Sequence, residues 1–384
     1  MGLYLAFKEV WRNRGRFFLF SLVIALITTL VLFVAALAQG LALANKQYIE
    51  KIDAQLIVFQ NNVKLSAPTS QIVRSSFNDI QRVEGVDAIG PIGLSSATLM
   101  SSTGKEIDVA LIGVEAGKPG EPEVRKGRNL RSNSGFDVLI DSQVAEENGI
   151  QIGDSVVIKS IQAAKEEFYT LKVAGITDPQ QYQFRPSFFV PYRTWDEVKP
   201  QGPAEGLQRG ELITNIVAVR ISDRNNIETV KQSIENQVTD VEVADIKTAY
   251  EAIPGYSVQQ STLNTQQFFV LLIGTLVIGG FFQIQMLQKI PQIGVMKAIG
   301  TSNLVVATAA VAQIILVTTF GVALGAAVTL LLAIGIPATV PIAFNGPTML
   351  LAVIALLAIG PLGGLVTIRV AINVEPLTAL GLSS

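Results

Sequence analysis

The chain has 384 residues, 49% of them hydrophobic and only 16% charged, and its mean hydropathy of +0.43 lies on the membrane side of soluble composition. A net charge of −2 gives no reason to expect nucleic-acid binding. The absence of cysteine and histidine excludes disulfides, thiolate metal sites, most zinc chemistry and histidine acid–base catalysis.

Residues 1–16 open the chain with Leu3, Phe7, Val10 and Trp11 at helical spacing, flanked by Lys8, Glu9 and Arg12. This predicts an amphipathic helix lying in the headgroup region; a plain topogenic flank with Trp11 as interfacial anchor is the alternative. Residues 17–44 predict a first transmembrane helix, long enough for a hydrocarbon core of ~30 Å. Arg12, Arg14 and Arg16 before it and Ala36-Leu37-Ala38 within it are also features of a secretory signal. The apolar run exceeds the usual core of such a signal, so an uncleaved helix is expected.

Residues 45–262 predict an extracytoplasmic α+β domain. Short β-type runs dominate it, at Gln55–Gln60, Val109–Val114, Val138–Asp141, Ser155–Lys159 and Asn215–Arg220. Helical patterns occupy Gln71–Arg82 and Asn226–Gln237, and Ser142–Asn148 reads as a turn or two of helix stopped by Gly149. Gly/Pro-rich breaks fall at Gly117–Pro122 and Pro200–Gly206.

Three further spans follow, at 263–288, 304–334 and 348–372, separated by a short basic segment at 289–303 and an uncharged loop at 335–347. Residues 373–384 form a tail. The pairs Gly321/Gly325 and Gly360/Gly364 permit close helix packing. Basic residues sit before span one, at Lys289 and Lys297 between spans two and three, and at Arg369. This distribution predicts cytoplasmic termini, a cytoplasmic 289–303 and an outer domain on the far side. The fold class expected is an α-helical membrane protein with four transmembrane helices plus an α+β extracytoplasmic domain.

Catalytic chemistry is mostly missing. There is no Gly-x-x-x-x-Gly-Lys-Ser/Thr phosphate loop and no Gly-x-Ser-x-Gly elbow. Glu146 and Glu147 are adjacent and point apart on a helix, which suits a solvated face better than paired acid–base work. The span centres carry essentially no ionisable residues, which argues against a proton relay or an ion channel built on intramembrane charge.

The order of one span, a large outer domain and three spans closely resembles the MacB/FtsX/LolC-type (type VII) ABC transporter permeases. Gln292-Ile-Gly-Val-Met-Lys-Ala-Ile-Gly-Thr-Ser302 is similar to that family's Glu-Ile-Gly-x-x-Arg/Lys-Ala-Ile/Leu-Gly-Ala/Ser signature. Val374-Glu-Pro-Leu-Thr-Ala-Leu380 resembles its Pro-x-x-Ala-Leu ending, and Val138–Asp154 with Val173–Ile176 resembles its MacB-like periplasmic core. The opening Phe7–Phe17 is similar to the start of haem-exporter permeases of the HrtB type, and the missing fused ATPase resembles HrtB/DevC-like members. Gln292 departs from the usual Glu, which weakens any transferred ion pair with the ATPase.

The resemblance implies a homodimer in the bacterial cytoplasmic (inner) membrane, driven by a separate ABC ATPase subunit that binds ATP and Mg. This chain itself would bind no cofactor. Contact with the ATPase would fall on Lys289, Gln292, Ile293, Gly294, Lys297, Ala298 and Gly300, and on Lys8, Trp11 and Arg12 of the N-terminal helix. Motion passed to the outer domains would extrude an amphipathic cargo: haem, lipid, lipoprotein, peptide or drug. Some family-like systems add a periplasmic membrane fusion protein and an outer-membrane duct. An HrtB-like reading puts haem near Tyr48 and Glu50, where ordinary interfacial anchoring by tyrosine is the alternative. An FtsX-like relay that regulates an extracellular cell-wall hydrolase, with no transport, is the competing function.

Overall fold

A computed structural model describes residues 2–101, 104–162, 165–201, 212–336 and 340–372. The tail motif at 374–380, most of the break at 200–206 and part of the 335–347 loop lie outside these residues. In chain order the first elements are α1 (Gly2–Arg12), α2 (Arg14–Lys51), β1 (Leu56–Gln60), β2 (Ile72–Val73), α3 (Arg74–Arg82), β3 (Val86–Met100) and β4 (Glu106–Val114). Next come β5 (Val124–Gly127), β6 (Asp137–Asp141), α4 (Ser142–Asn148), β7 (Ser155–Gln162), β8 (Lys165–Thr177), β9 (Gln181–Tyr182), β10 (Arg185–Pro191) and α5 (Tyr192–Val198). The chain ends with β11 (Ile213–Thr214), β12 (Ile216–Ile221), α6 (Ile227–Gln237), β13 (Val241–Asp245), α7 (Ile246–Glu251), α8 (Tyr256–Ala298), α9 (Asn303–Gly335) and α10 (Gly346–Ile372).

Two compact units result, one of Met1–Gly40 with Gln260–Ser384 and one of Leu41–Gln259. In the first, α2, α8 and α9 are each long and apolar enough to cross a membrane. Among the described residues its buried core includes Phe17, Ile24 and Val31 of α2, Ile278 and Phe282 of α8, Ile314 and Val317 of α9, and Leu356 of α10. Many large apolar side chains on the same helices face outward, Leu26, Phe268, Leu276 and Leu331 among them. An outward apolar surface of this kind suits lipid, not water.

Close packing of α9 on α2 rests on glycine. A Cβ at Gly321 would lie 2.7 Å from Ile24 Cβ and 2.9 Å from the Ser21 carbonyl, and one at Gly325 would lie 2.5 Å from the Ala25 carbonyl. Two side chains of α2 use that closeness. Thr29 Oγ1 donates to the Gly325 carbonyl at 3.1 Å and Ser21 Oγ to the Val317 carbonyl at 3.4 Å. Gly360 of α10 lies against Thr318 of α9 in the same way.

In the second unit, β3, β4, β10, β6, β8 and β7 pair in a closed circuit, because β7 bonds both β8 and β3. Closure leaves these strands few open edges. Its filling is Leu99, Leu111, Val138, Ile140, Ile158, Leu171, Val173 and Phe188. The amino-terminal half of β3 continues into an antiparallel sheet with β12, β1 and β13, which α3 and α6 cover through Ile80, Val230 and Ile234. A further core holds Ala42, Tyr48, Ile49 and Ile52 at the end of α2 against Ile57, Phe59, Ile92, Ile112 and Phe189.

Local sequence explains several of these elements. Asp141 caps α4 by accepting from Gln143 N at 2.7 Å, and Gly149 closes the helix at φ +66. Strand β3 escapes a pattern reading because Gly90, Pro91 and Gly93 look like a turn. Gly90 instead admits the Pro119 carbonyl, and the register neighbours Gly93 and Gly113 together seat the Trp195 ring. Trp195 Nε1 donates to Ser95 Oγ at 2.9 Å, which satisfies the buried indole.

Gly325→Leu should destabilise the membrane unit by about 1–3 kcal/mol through overpacking, read as a lower thermal midpoint in detergent. Gly335→Ala, with nothing within 4 Å of the added carbon, should change that midpoint little. Trp11 and Trp195 are the two tryptophans, so Gly113→Val in a Trp11→Phe background should red-shift fluorescence as the indole leaves its seat. An unshifted spectrum would contradict the glycine cradle.

Candidate functional site

The stretch 289–303 is helical through Ala298, so Lys289, Gln292, Ile293, Gly294, Lys297 and Ala298 ride on α8 and only the residues from Ile299 to Ser302 turn. Thr301 N donates to the Met296 carbonyl and Gly300 N to the Lys297 carbonyl, both at 3.0 Å. With Gly300 at φ +96 this is a Schellman stop, which needs a left-handed residue at that position. Ser302 then caps α9, its hydroxyl accepting from Val305 N at 3.4 Å. Stop and start thus follow each other within Gly300-Thr-Ser302, which keeps the turn short. Pro291 lies inside α8 and removes one helix hydrogen bond just before the turn.

Burial sorts the candidate residues. Ile293 and Gly294 are buried, Lys297 is half-buried, and Gln292 and Ala298 are exposed. Ile293 packs with Met286 of the same helix and with Val306 and Ala310 of α9. Val295, Ile299 and Leu304 are exposed apolar residues around the turn, Ile299 to 79%. The pattern reading did not single these three out; apolar residues in a short turn with no internal partner are the signal that marks them.

A cleft of ≈ 280 Å³ brings five candidates together: Lys8 and Arg12 from α1, and Lys289, Gln292 and Ile293 from α8. Its remaining wall includes Met286, Met296 and Gln313, which the sequence reading passed over. Trp11 is not part of it; its ring is 69% exposed and stacks on Phe7 at 6.1 Å. Lys289 Nζ donates to Gln313 Oε1 at 2.7 Å and lies 5.8 Å from the Phe17 ring centre. Lysine has no acceptor, so this bond fixes which end of the amide is oxygen. Gln313 Nε2 is then a buried donor without a hydrogen-bond partner, a condition that costs about 1–3 kcal/mol. Nearby, Arg16 donates to Gln288 Oε1 and ties the start of α2 to α8.

Tyr48 and Glu50 belong to the other unit and face different surroundings. Tyr48 is buried among Tyr182 and Phe189, and its hydroxyl donates to the Gly120 carbonyl at 3.1 Å. Glu50 is exposed and pairs with Lys46 at 3.0 Å. Asp141 is a fully buried carboxylate of this unit. Burial raises its pKa, opposed by the Gln180 and Gln143 amides that donate to it. Among the described residues no cluster of three or more His, Cys, Asp or Glu is placed to hold a metal.

Residues 17–237 match the MacB-like periplasmic core domain and residues 267–376 the FtsX-like permease C-terminal domain. The first match covers more than half of the chain. The chain therefore belongs to the MacB/FtsX-type permeases: a transmembrane, non-catalytic subunit of an efflux-type ABC transport system, with a multi-pass helical region and an α+β extracytoplasmic domain. It is similar, at 27% identity over 377 residues, to the putative hemin transport system permease protein HrtB of Staphylococcus haemolyticus, covering 98% of this chain and 99% of that one. The protein of the same name in Staphylococcus epidermidis is 25% identical over 379 residues, with the same shares covered. Among solved structures, the periplasmic region of MacB from Actinobacillus actinomycetemcomitans matches at a TM-score of 0.36 and 15% identity, covering 52% of this chain and 92% of that one.

Gly300→Ala should destabilise the α8–α9 turn by about 1 kcal/mol, the price of a left-handed alanine, and Ser302→Ala by a similar amount through the lost cap. Thermal unfolding in detergent reads both. If Gly300→Ala matched the parent, the Schellman assignment would be wrong.

Proposed function

We propose that this chain is the membrane subunit of an exporter that extrudes an amphipathic anion, haem first among the candidates, on energy from a separate ABC ATPase. The observation that carries this reading is the full-length likeness to proteins named as hemin transport permeases. A planar anionic porphyrin that partitions into lipid is the kind of cargo a permease can take from the bilayer without a wide polar channel. The ATPase would dock beneath the α8–α9 turn, where exposed Val295, Ile299 and Leu304 sit beside Gln292, Lys297 and Ala298. Gly294 and Ile293 would support that face from inside, and Lys289, Lys8, Trp11 and Arg12 would border it.

Basic flanks at both the start of α2 and the α8–α9 turn support a cytoplasmic placement of that end and of both termini in a bacterial inner membrane. In this reading α10 makes a fourth crossing, two copies of the chain assemble, and ATP-driven closure is passed along α2 and α8 to the outer domains. Of the two positions after the first span, exposed Glu50 would be the one open to cargo, whereas Tyr48 is held in the core. A membrane fusion protein and outer-membrane duct would be added where a second membrane is present.

The test is purification of the tagged full chain in mild detergent together with hemin tolerance of cells that carry it. An ABC ATPase should co-purify, and Gly294→Asp or Lys297→Glu should insert normally yet lose hemin tolerance about tenfold, equivalent to ~1.4 kcal/mol of coupling. Normal efflux in both variants would sink the coupling assignment. Failure to recover any ATPase would sink the exporter reading, and recovery of an ATPase with a cell-wall hydrolase would replace it with the mechanical relay.

A further inference from the structure

We propose that the cleft between α1, α8 and α9 seats the phosphate headgroup of an anionic phospholipid. Lys8 and Arg12 stand one helical turn apart on α1, and Lys289 joins them from α8. Among the described residues that line the cleft none is a carboxylate, and neither Lys8 nor Arg12 is in an ion pair with a described residue. Gln313 supplies the second, independent observation. Its amide is 6% exposed, its oxygen is held by Lys289 at 2.7 Å, and its Nε2 has no partner. The cations of Lys8 and Arg12 and the unused N–H of Gln313 are what a phosphate monoanion accepts from.

The rest of the cleft selects a lipid over a free anion. Met286 and Met296 form an apolar, adaptable wall that inorganic phosphate would leave unfilled and the first methylenes of an acyl glycerol would cover. At ≈ 280 Å³ the space suits a headgroup and its glycerol, not a whole lipid. Its position also fits. The cleft lies where the basic flank of α2 and the basic end of α8 meet, the depth at which headgroups sit. The inference rests on the chain being a membrane permease and not on where an ATPase docks.

Native mass spectrometry of the purified full chain, delipidated and then offered phosphatidylglycerol or phosphatidylcholine of matched chains, tests this. Phosphatidylglycerol should be retained preferentially. The Lys8→Ala/Arg12→Ala double variant should lose roughly thirtyfold of that preference, about fivefold for each cation near an anionic headgroup. Gln313→Leu, which removes the amide while keeping an apolar side chain a membrane helix accepts, should weaken retention several-fold with both α1 cations intact. Equal retention of the two lipids, or a preference that neither variant changes, would overturn the proposal. Full displacement of the lipid by excess inorganic phosphate would assign the cleft to a free anion instead. Loss of ATPase recovery in the double variant with no lipid preference in the parent would assign it to a partner protein.

Discussion

The membrane unit depends on the backbone-to-backbone approach of α9 to α2. Between helices in lipid there is no hydrophobic force to draw them together, so association comes from van der Waals fit and polar contacts. Gly321 and Gly325 supply the fit by leaving room for the Ser21–Thr28 stretch of α2. Only at that distance can Ser21 and Thr29 reach carbonyls on the neighbouring helix. A larger residue at either glycine would remove the fit and the hydrogen bonds together. Gly360 repeats the device between α10 and α9, where Thr318 occupies the gap.

The outer unit meets the opposite solvent and solves a different problem. In water, apolar burial drives assembly, at ~25 cal/mol per Å², and the hazard is an open strand edge. The β7 strand meets that hazard by bonding on both sides, so that six strands close on themselves around an apolar filling. Glycine again sets the geometry. Gly93 and Gly113 face each other across β3 and β4 and make room for Trp195, whose N–H finds Ser95. The buried Asp141 carboxylate is tolerated because two backbone N–H groups, those of Gln143 and Gln180, point at it from 2.7 Å.

Features that depend on local chemistry were legible in the sequence. Helix α4 with its Gly149 stop, helix α6, and the strands within β1, β6, β7 and β12 all follow from period and boundary residues. What could not be read was set by long-range approach. Strand β3 contains Gly90, Pro91 and Gly93, which look like punctuation until Pro119 and Trp195 are known to lie over them. The pattern gives 289–303 only as a short basic segment between spans, because glycine and proline interrupt it. Once α9 packs against Ile293, helix continues to Ala298 and the turn shrinks to a few residues. At the candidate site, Lys8, Arg12, Lys289, Gln292 and Ile293 could be named singly from charge and motif. Their meeting in one cleft, and the part of Gln313, required the fold.

That cleft bears on how one helix end could serve two purposes. Successive residues of a helix are turned by roughly 100°, so Met286, Lys289, Ile293 and Met296 fall along one side of α8. Val295 and Ile299 fall on another, and both are exposed. The first side is occupied by contacts within the unit: Ile293 with Val306 and Ala310, Lys289 with Gln313. The second is left largely exposed and so is open to a partner. Packing alone does not account for Gln313, since an apolar side chain of similar volume would avoid leaving a buried amide donor unbonded. A buried amide kept in such a place is better explained by a ligand that completes its hydrogen bonds than by the packing of α8 on α9.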